Sequence, residues 1–440
     1  EIFRLLDVPV DFVVGLDMMV EKSTPGFVDI PPGAHLLWVQ QPGQNFRSAY
    51  WFVTGHRPQY KGHVRIKQWD RYNEVLGEVA SRCERRSVLE SIVEIYPHLK
   101  VYPSSTPTLV QPSGSTILTS SDSESAVAWQ SPAWTRSPSP LHLWQALTDS
   151  ISNEFLARVT SKKEVQDEYP VDSMDDRLEE LQSSLGGRRR NVIPNLSSDL
   201  NFIFCLQTLK NMKKLPRSQR KSDDLFDLVI ERLKDEKEDD LIAEMQFAFL
   251  TGTYLTNAAC LGQWWDFVLH FALKAYKIAA MRPNLARRLI QTLHAQLLFT
   301  ELQVASTSSP ASSSTAERQP AEHDQKGDGP SGDRILYEAR PYAQGKMTLQ
   351  RGLEQFMTRL EADIKQRTGR LTKEHIEVCE AANDLGEWLF GLGWDVRHKR
   401  KMNPAEDDQG DEDSEDEDDL PVVVELDEDG REVGLVRFAD

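Results

Sequence analysis

Four cysteines in 440 residues, with no Cys-x-x-Cys pair, are too few and too scattered for a disulfide framework or a thiolate zinc site. Cys83, Cys205, Cys260 and Cys379 are expected to be reduced thiols, as in a nuclear or cytoplasmic protein. No apolar run approaches the roughly 20 residues of a membrane helix, and Glu1-Ile2-Phe3-Arg4 lacks the character of a signal peptide. There is no Walker loop, nucleophile elbow or dinucleotide fingerprint. The 10 histidines are dispersed. His56 and His63 form the one close pair, and with no Cys or carboxylate cluster at ligand spacing they read as surface or structural residues on neighbouring strands. Neither catalysis nor a cofactor, metal or membrane is expected.

What the chain does have is a concentration of negative charge at one end. Of a formal net charge of −18, residues 404–440 carry −15, because 17 acids there face only Arg431 and Arg437. Glu406 to Asp419 is almost entirely Asp and Glu, which self-repels, stays solvated and disfavours phosphates. Beyond it, Pro421-Val422-Val423-Val424-Glu425-Leu426 and Arg431-Glu432-Val433-Gly434-Leu435-Val436 flank Asp427-Glu428-Asp429-Gly430. A two-residue Asp429-Gly430 turn sets Glu428 against Arg431, Leu426 against Val433 and Val424 against Leu435. Glu425-x-Asp427-x-Asp429-Gly430 also starts like a calcium loop, but the twelfth position is Val436 instead of a bidentate Glu. A lone hairpin is marginal in water. Val422, Val424, Leu426, Val433, Leu435 and Val436 are therefore candidate partner-binding residues that add strands to another protein's sheet. The alternative is docking on a sheet edge of the chain's own N-terminal part.

The pattern along the chain indicates an α+β fold. Residues 1–102 read as a β-rich, sandwich-like domain, with short strand runs at 12–16, 35–39, 49–53 and 63–66 between Pro and Gly breaks and a packed helical stretch at 71–96. Residues 103–139 form a Ser/Pro-rich linker. From 140 the apolar period becomes helical, with one part of a helical domain at 140–303 and the last at 346–402, helices being expected near 196–214, 223–235, 240–260, 262–281, 284–303, 346–368 and 371–391. The polar stretch at 304–345 cannot offset its chain entropy by burial and is expected to be a disordered insertion. An acidic linker at 403–420 leads to the hairpin tail at 421–440.

Several segments resemble the cistron-splicing factor family of U5 snRNP assembly factors. They are Gly15-Leu16-Asp17, Ile30-Pro31-Pro32-Gly33-Ala34-His35-Leu36-Leu37-Trp38, Arg47-Ser48-Ala49-Tyr50-Trp51-Phe52, Trp69-Asp70 with Glu74, Leu143-Trp144-Gln145-Ala146-Leu147-Thr148, and Glu244 to Leu250 followed by Gln263-Trp264-Trp265. The resemblance implies a non-catalytic assembly chaperone in pre-mRNA splicing. Such a protein binds the RNase H-like and MPN-type domains of the large U5 scaffold protein and keeps the spliceosomal RNA helicase off. It further implies an indirect link to U5 snRNA, a monomer within a heteromeric complex, and residence in cytoplasm and nucleus.

Two basic clusters support a rival reading, an RNA-binding adaptor that touches snRNA directly: Lys210, Lys213, Lys214, Arg217, Arg220 and Lys221, and Arg397-His398-Lys399-Arg400-Lys401. Neither has interleaved aromatics for base stacking. Ser218 and Ser222 lie in the first cluster and Ser414 in the acidic run, which makes them candidate phosphorylation sites.

Overall fold

The computed structural model describes residues 1–22, 24–43, 47–55, 64–79, 81–103, 139–173, 200–204, 238–274, 277–308, 345–366, 372–396, 424–426 and 432–435. Runs rich in β-branched and aromatic residues form β1 (Ile2–Leu6), β2 (Val13–Leu16), β3 (Met19–Lys22), β4 (Gly26–Val28), β5 (Gly33–Gln40), β6 (Arg47–Thr54), β7 (Val64–Asp70), β8 (Val75–Gly77), β9 (Lys100–Val101) and, later in the chain, β10 (Tyr169–Asp172). They make two five-stranded sheets of order β8-β7-β1-β4-β9 and β10-β6-β5-β2-β3. The second is antiparallel throughout. In the first, β1 runs parallel to β7 and β4 parallel to β9. Parallel neighbours need a long crossover, and the chain between β1 and β7 supplies it by building most of the other sheet.

Phe3, Phe12, Phe27, Leu37, Val39 and Phe52 close the space between the sheets, with Phe3 and Phe52 rings 5.1 Å apart and Phe12 and Trp69 rings 4.9 Å apart. The sandwich-like reading of the first hundred residues is thus borne out. Alternation along β5 then sends Ala34, Leu36 and Trp38 to the opposite face, into a second core shared with the helices. Trp51 on β6 joins them.

Four of the helices begin at a side-chain cap. After β8, α1 (Arg82–Glu90) starts at Ser81, whose hydroxyl accepts from Glu84 N–H, and α2 (Ile92–Ile95) follows. Ser139 caps α3 (Pro140–Thr148), Ser152 caps α4 (Asn153–Val159), and Asn257 caps α6 (Ala258–Asp266). Between them α5 (Glu238–Leu255) is buried on nearly every face, as a central helix is. A π-helical turn, Phe267–Ala272, leads to α7 (Lys277–Met281) and α8 (Pro283–Ser308), whose first residue is the proline that favours a helix start. α9 (Gly345–Gln366) and α10 (Lys373–Gly391) complete the set. The helical layer is fastened to β5 and β6 by two indoles: Trp144 Nε1–H donates to the Ala34 carbonyl at 2.8 Å, and Trp51 Nε1–H to Thr251 Oγ1 at 3.0 Å.

Residues 1–397 form one compact unit and 398–440 a second. The second holds a two-stranded antiparallel sheet, β11 (Val424–Leu426) with β12 (Glu432–Leu435). Two local expectations change. The stretch 71–96 is not one helix: Asp70 builds a turn and Val75–Gly77 pairs back on Gln68–Asp70 before α1 begins. Residues 200–204, expected inside a helix, are not helical: Glu244 takes the amides of Ile203 and Phe204. The rest of 196–214, and all of 223–235, lie outside the described residues, as do most of both Ser/Pro-rich stretches.

His294 on α8 is buried with its ring 5.1 Å from Trp388 on α10, and burial lowers its pKa to about 4 from the ordinary 6.5. The fold holds the ring neutral, so the unfolded chain binds the proton first. This contribution is complete above pH 6.5 and is lost as pH falls toward 4, on the order of 3 kcal/mol in total. Urea unfolding between pH 7 and pH 4 is expected to show that loss, and His294→Gln to flatten it; an unchanged slope in the variant would remove the assignment.

Candidate functional site

The Gly15-Leu16-Asp17 and Pro31-Pro32-Gly33-Ala34-His35 segments meet in the interior. Asp17, at the end of β2, adopts φ 55°, a left-handed conformation that turns its carboxylate inward; it is 1 % exposed. Its Oδ1 accepts the Leu36 amide at 2.9 Å, and its Oδ2 accepts the Tyr102 hydroxyl at 2.8 Å and stands 2.6 Å from His35 Nδ1. His35 Nε2 faces the Pro31 carbonyl at 2.8 Å. Each ring nitrogen therefore lies within hydrogen-bond distance of an oxygen, and the two contacts fix the orientation of the ring. Burial, followed by the charge of Asp17, pushes the Tyr102 phenol far above its ordinary range. Gly15 is required alongside, since a Cβ there would lie 2.0 to 2.3 Å from the Trp38 indole.

An aspartate behind a histidine is also the base-and-orienter half of a hydrolytic triad. Here the outer nitrogen is closed by a backbone carbonyl and the ring is buried, leaving no lone pair for a substrate proton. The cluster instead ties β2 and the β5 entry of one sheet to Tyr102, whose amide bonds to Val28 in the other. Spacing did not reveal this site, because Asp17, His35 and Tyr102 are widely separated in sequence; the one signal was that two of them sit in the motifs quoted above.

A second set of buried charges holds the segment before β10. Lys67 is 2 % exposed, lies 4.4 Å over the Tyr50 ring, and pairs with Glu168 at 2.5 Å and with Glu78. Burial alone would lower its pKa, but Glu168 and Glu78 reverse that and hold it above its ordinary value. Arg65 donates to the Asp167 carbonyl at 2.7 Å and stacks 5.1 Å over Phe52. Among the helices, Glu244 accepts from Ile203 N–H at 2.5 Å, Phe204 N–H at 2.9 Å and Gln263 Nε2 at 3.2 Å. Burial pushes that carboxyl up to about 8 against the pull of these donors and Arg158. Gln296 bridges Trp264 Nε1 and the Met245 carbonyl.

None of these groups is open to a small molecule. Among the described residues no three His, Cys, Asp or Glu side chains gather as a metal site, and no helix is long and apolar enough to cross a membrane. A depression of about 500 Å³ beside α4, lined by Arg158, Lys162, Lys163 and Glu164, is open to solvent.

The tail places Val424 opposite Leu435, as its spacing requires. Leu426 pairs with Glu432, not Val433: the register shifts after Glu425, leaving Val433 as the extra residue of a bulge. With Leu426 and Glu432 paired, the connection is the five residues 427–431, longer than an Asp-Gly turn, and these lie outside the described residues. So do Val422, Val436, Ser218, Ser222, Ser414, His56, His63 and both basic clusters.

Fold and site together define a layered α+β protein whose buried charges fasten segments distant in sequence. The family model described as the AAR2 N-terminal domain matches residues 2–161, and that of the AAR2 C-terminal repeat region matches residues 214–397. The chain belongs to the AAR2 family of U5 snRNP assembly factors, bearing out the resemblance drawn from its motifs. Membership carries a splicing-related role in U5 snRNP assembly and association with U5 snRNP components. The comparison with curated proteins gives no match.

If the Asp17 cluster is a structural clamp, its parts have ranked costs. Asp17→Asn replaces a carboxylate that accepts the Leu36 amide and the Tyr102 hydroxyl on separate oxygens with an amide that has one acceptor oxygen, for a loss of about 3 kcal/mol. Tyr102→Phe removes one of three bonds to the carboxylate, about 1.5 kcal/mol. Urea denaturation of the two variants is the measurement, and equal or reversed losses would refute the clamp.

Proposed function

We propose that this protein is a non-catalytic assembly chaperone that binds the RNase H-like and MPN-type domains of the large U5 scaffold protein and holds back premature binding of the spliceosomal helicase. The observation that carries the reading is the tail hairpin. Val424–Leu426 and Glu432–Leu435 form a two-stranded sheet that pairs with no third strand among the described residues. Such a sheet buries too little to be stable alone and offers strand edges to a partner. Val422, Val424, Leu426, Val433, Leu435 and Val436 are its contact residues in this reading. The acidic run at 406–419 repels phosphates in this reading. The protein works in cytoplasm and nucleus as one subunit of a heteromeric complex, linked to U5 snRNA through its protein partner.

Truncation before Pro421 is expected to leave the melting temperature of the remaining chain unchanged and to weaken scaffold binding at least tenfold, measured by calorimetry with the purified scaffold domains. Val424→Pro, which deletes a backbone donor, is expected to weaken it more than Val424→Ala. Full affinity after truncation, or amides at 422–424 already protected from exchange in the free protein, would overturn strand addition.

Phosphate at Ser218 or Ser222 would oppose Arg217, Arg220 and Lys221, while at Ser414 it would join an already anionic run and change little. The double variant Ser218→Glu, Ser222→Glu is expected to lower scaffold affinity severalfold in the same assay, with Ser414→Glu near wild type. Unchanged affinity in the double variant removes this regulation.

A further inference from the structure

Residues 200–204 lie across the helical layer as a strap. The Asn201 amide bonds to the Val159 carbonyl at the end of α4 at 2.8 Å, and Arg158 Nη1 donates to the Asn201 carbonyl at 3.3 Å. Beyond Asn201 the contacts are apolar. The Phe202 ring sits 6.3 Å from Phe247 on α5, and Phe204, fully buried, sits 5.3 Å from Phe267 and 5.7 Å from Phe271 on the π-helical turn. Leu200-Asn201-Phe202-Ile203-Phe204 contains no titratable side chain.

One carboxyl holds the backbone of this strap. Glu244 is fully buried, its Oε2 accepts the Ile203 amide and its Oε1 the Phe204 amide, and Gln263 Nε2 on α6 donates both to Oε1 and to the Phe204 carbonyl. The charges that bear on it are few. Arg158 on α4 pulls its pKa down through space and is itself 3.6 Å from Asp240, one turn earlier on α5, while α6 presents the neutral Gln263 and the strap presents only amides. Among the described residues no cation is in contact with the carboxyl.

A carboxylate enclosed in this way gives up its hydration without gaining a counter-ion, whereas the neutral carboxyl keeps a lone pair on each oxygen for the two strap amides. Burial accordingly pushes Glu244 up to about 8 from the ordinary 4.5. With the strap lifted, water replaces the two amides, desolvation falls away, and the carboxyl returns toward its ordinary value. The docked form thus binds a proton that the open form releases. The strap is held fully below pH 4.5, its hold weakens as pH rises from 4.5 to about 8, and the loss levels off above that.

We propose that Glu244 makes residues 200–204 a proton-sensitive latch, closed by the neutral carboxyl and loosened when the carboxyl ionises, so that a local opening of the helical layer grows through neutral pH. In sequence the basic cluster at 210–221 begins six residues after Phe204, so the latch ties the near end of that stretch to the helices. It is independent of which U5 component the tail engages. The test is amide hydrogen exchange of the full chain from pH 6 to pH 8, corrected for the intrinsic pH dependence of exchange, with the amides of β5, paired on both sides, as the core reference. The opening constant at Ile203 and Phe204 is expected to rise at least tenfold over that range without a matching rise in β5, and the rise is expected to vanish in Glu244→Gln. The glutamine has one acceptor oxygen, so the variant's strap opens at a different level and the slope is the readout. If that strap is open throughout, the wild-type slope measured against β5 decides by itself. A flat or falling wild-type profile, a rise matched by β5, or a variant that keeps the wild-type slope overturns the latch.

Discussion

Burial of β5 and β6 on both faces is the constraint on which the rest of the molecule depends. Leu37, Val39 and Phe52 point into the sandwich, while Leu36, Trp38 and Trp51 point into the helical core. Each strand must therefore carry apolar residues on both faces through its middle, Leu36 to Val39 and Ala49 to Val53, and still keep its register, because a slip of one residue would exchange the two sets. Shape resists that exchange. Trp51 fits only where Thr251 receives its indole, and Trp38 only where Gly15 has no side chain. Helices, second sheet and β10 are all placed by these two strands.

Charges taken out of water hold that arrangement in place. An isolated buried ion costs several kcal/mol, so each must be answered at close range. Asp17 beside His35, and Lys67 with Glu168 and Glu78, are met by groups from elsewhere in the chain, while Glu244, whose carboxyl burial raises to about 8, is met by three N–H donors. Such pairs add less to stability than apolar residues of the same volume would. Their value here is selection, because any other packing of these segments leaves a charge unpaired in the core.

The Asp17–His35 pair, which resembles part of a hydrolytic triad, is buried in the body, and its outer nitrogen meets the Pro31 carbonyl. The two-stranded hairpin lies in a unit separate from that body, and the proposed strand addition rests on it. Strand edges can bind a partner through backbone hydrogen bonds.

Local patterns decided a good deal. The strands at 12–16, 35–39 and 49–53 and the helices near 240–260, 284–303, 346–368 and 371–391 were legible because apolar period and caps are short-range signals. The motifs alone pointed to the family, and the alternation in the tail paired Val424 with Leu435. Tertiary structure decided what depends on distant partners. The parallel pairing of β1 with β7 arises from where the intervening chain packs, and the non-helical backbone at 200–204 from the carboxyl of Glu244. Likewise β8 replaced a predicted helical turn once Asp70 closed its hairpin, and the tail bulge moved Leu426 opposite Glu432. Asp17, His35 and Tyr102 lie far apart in sequence; only folding brings them together as one buried hydrogen-bonded cluster.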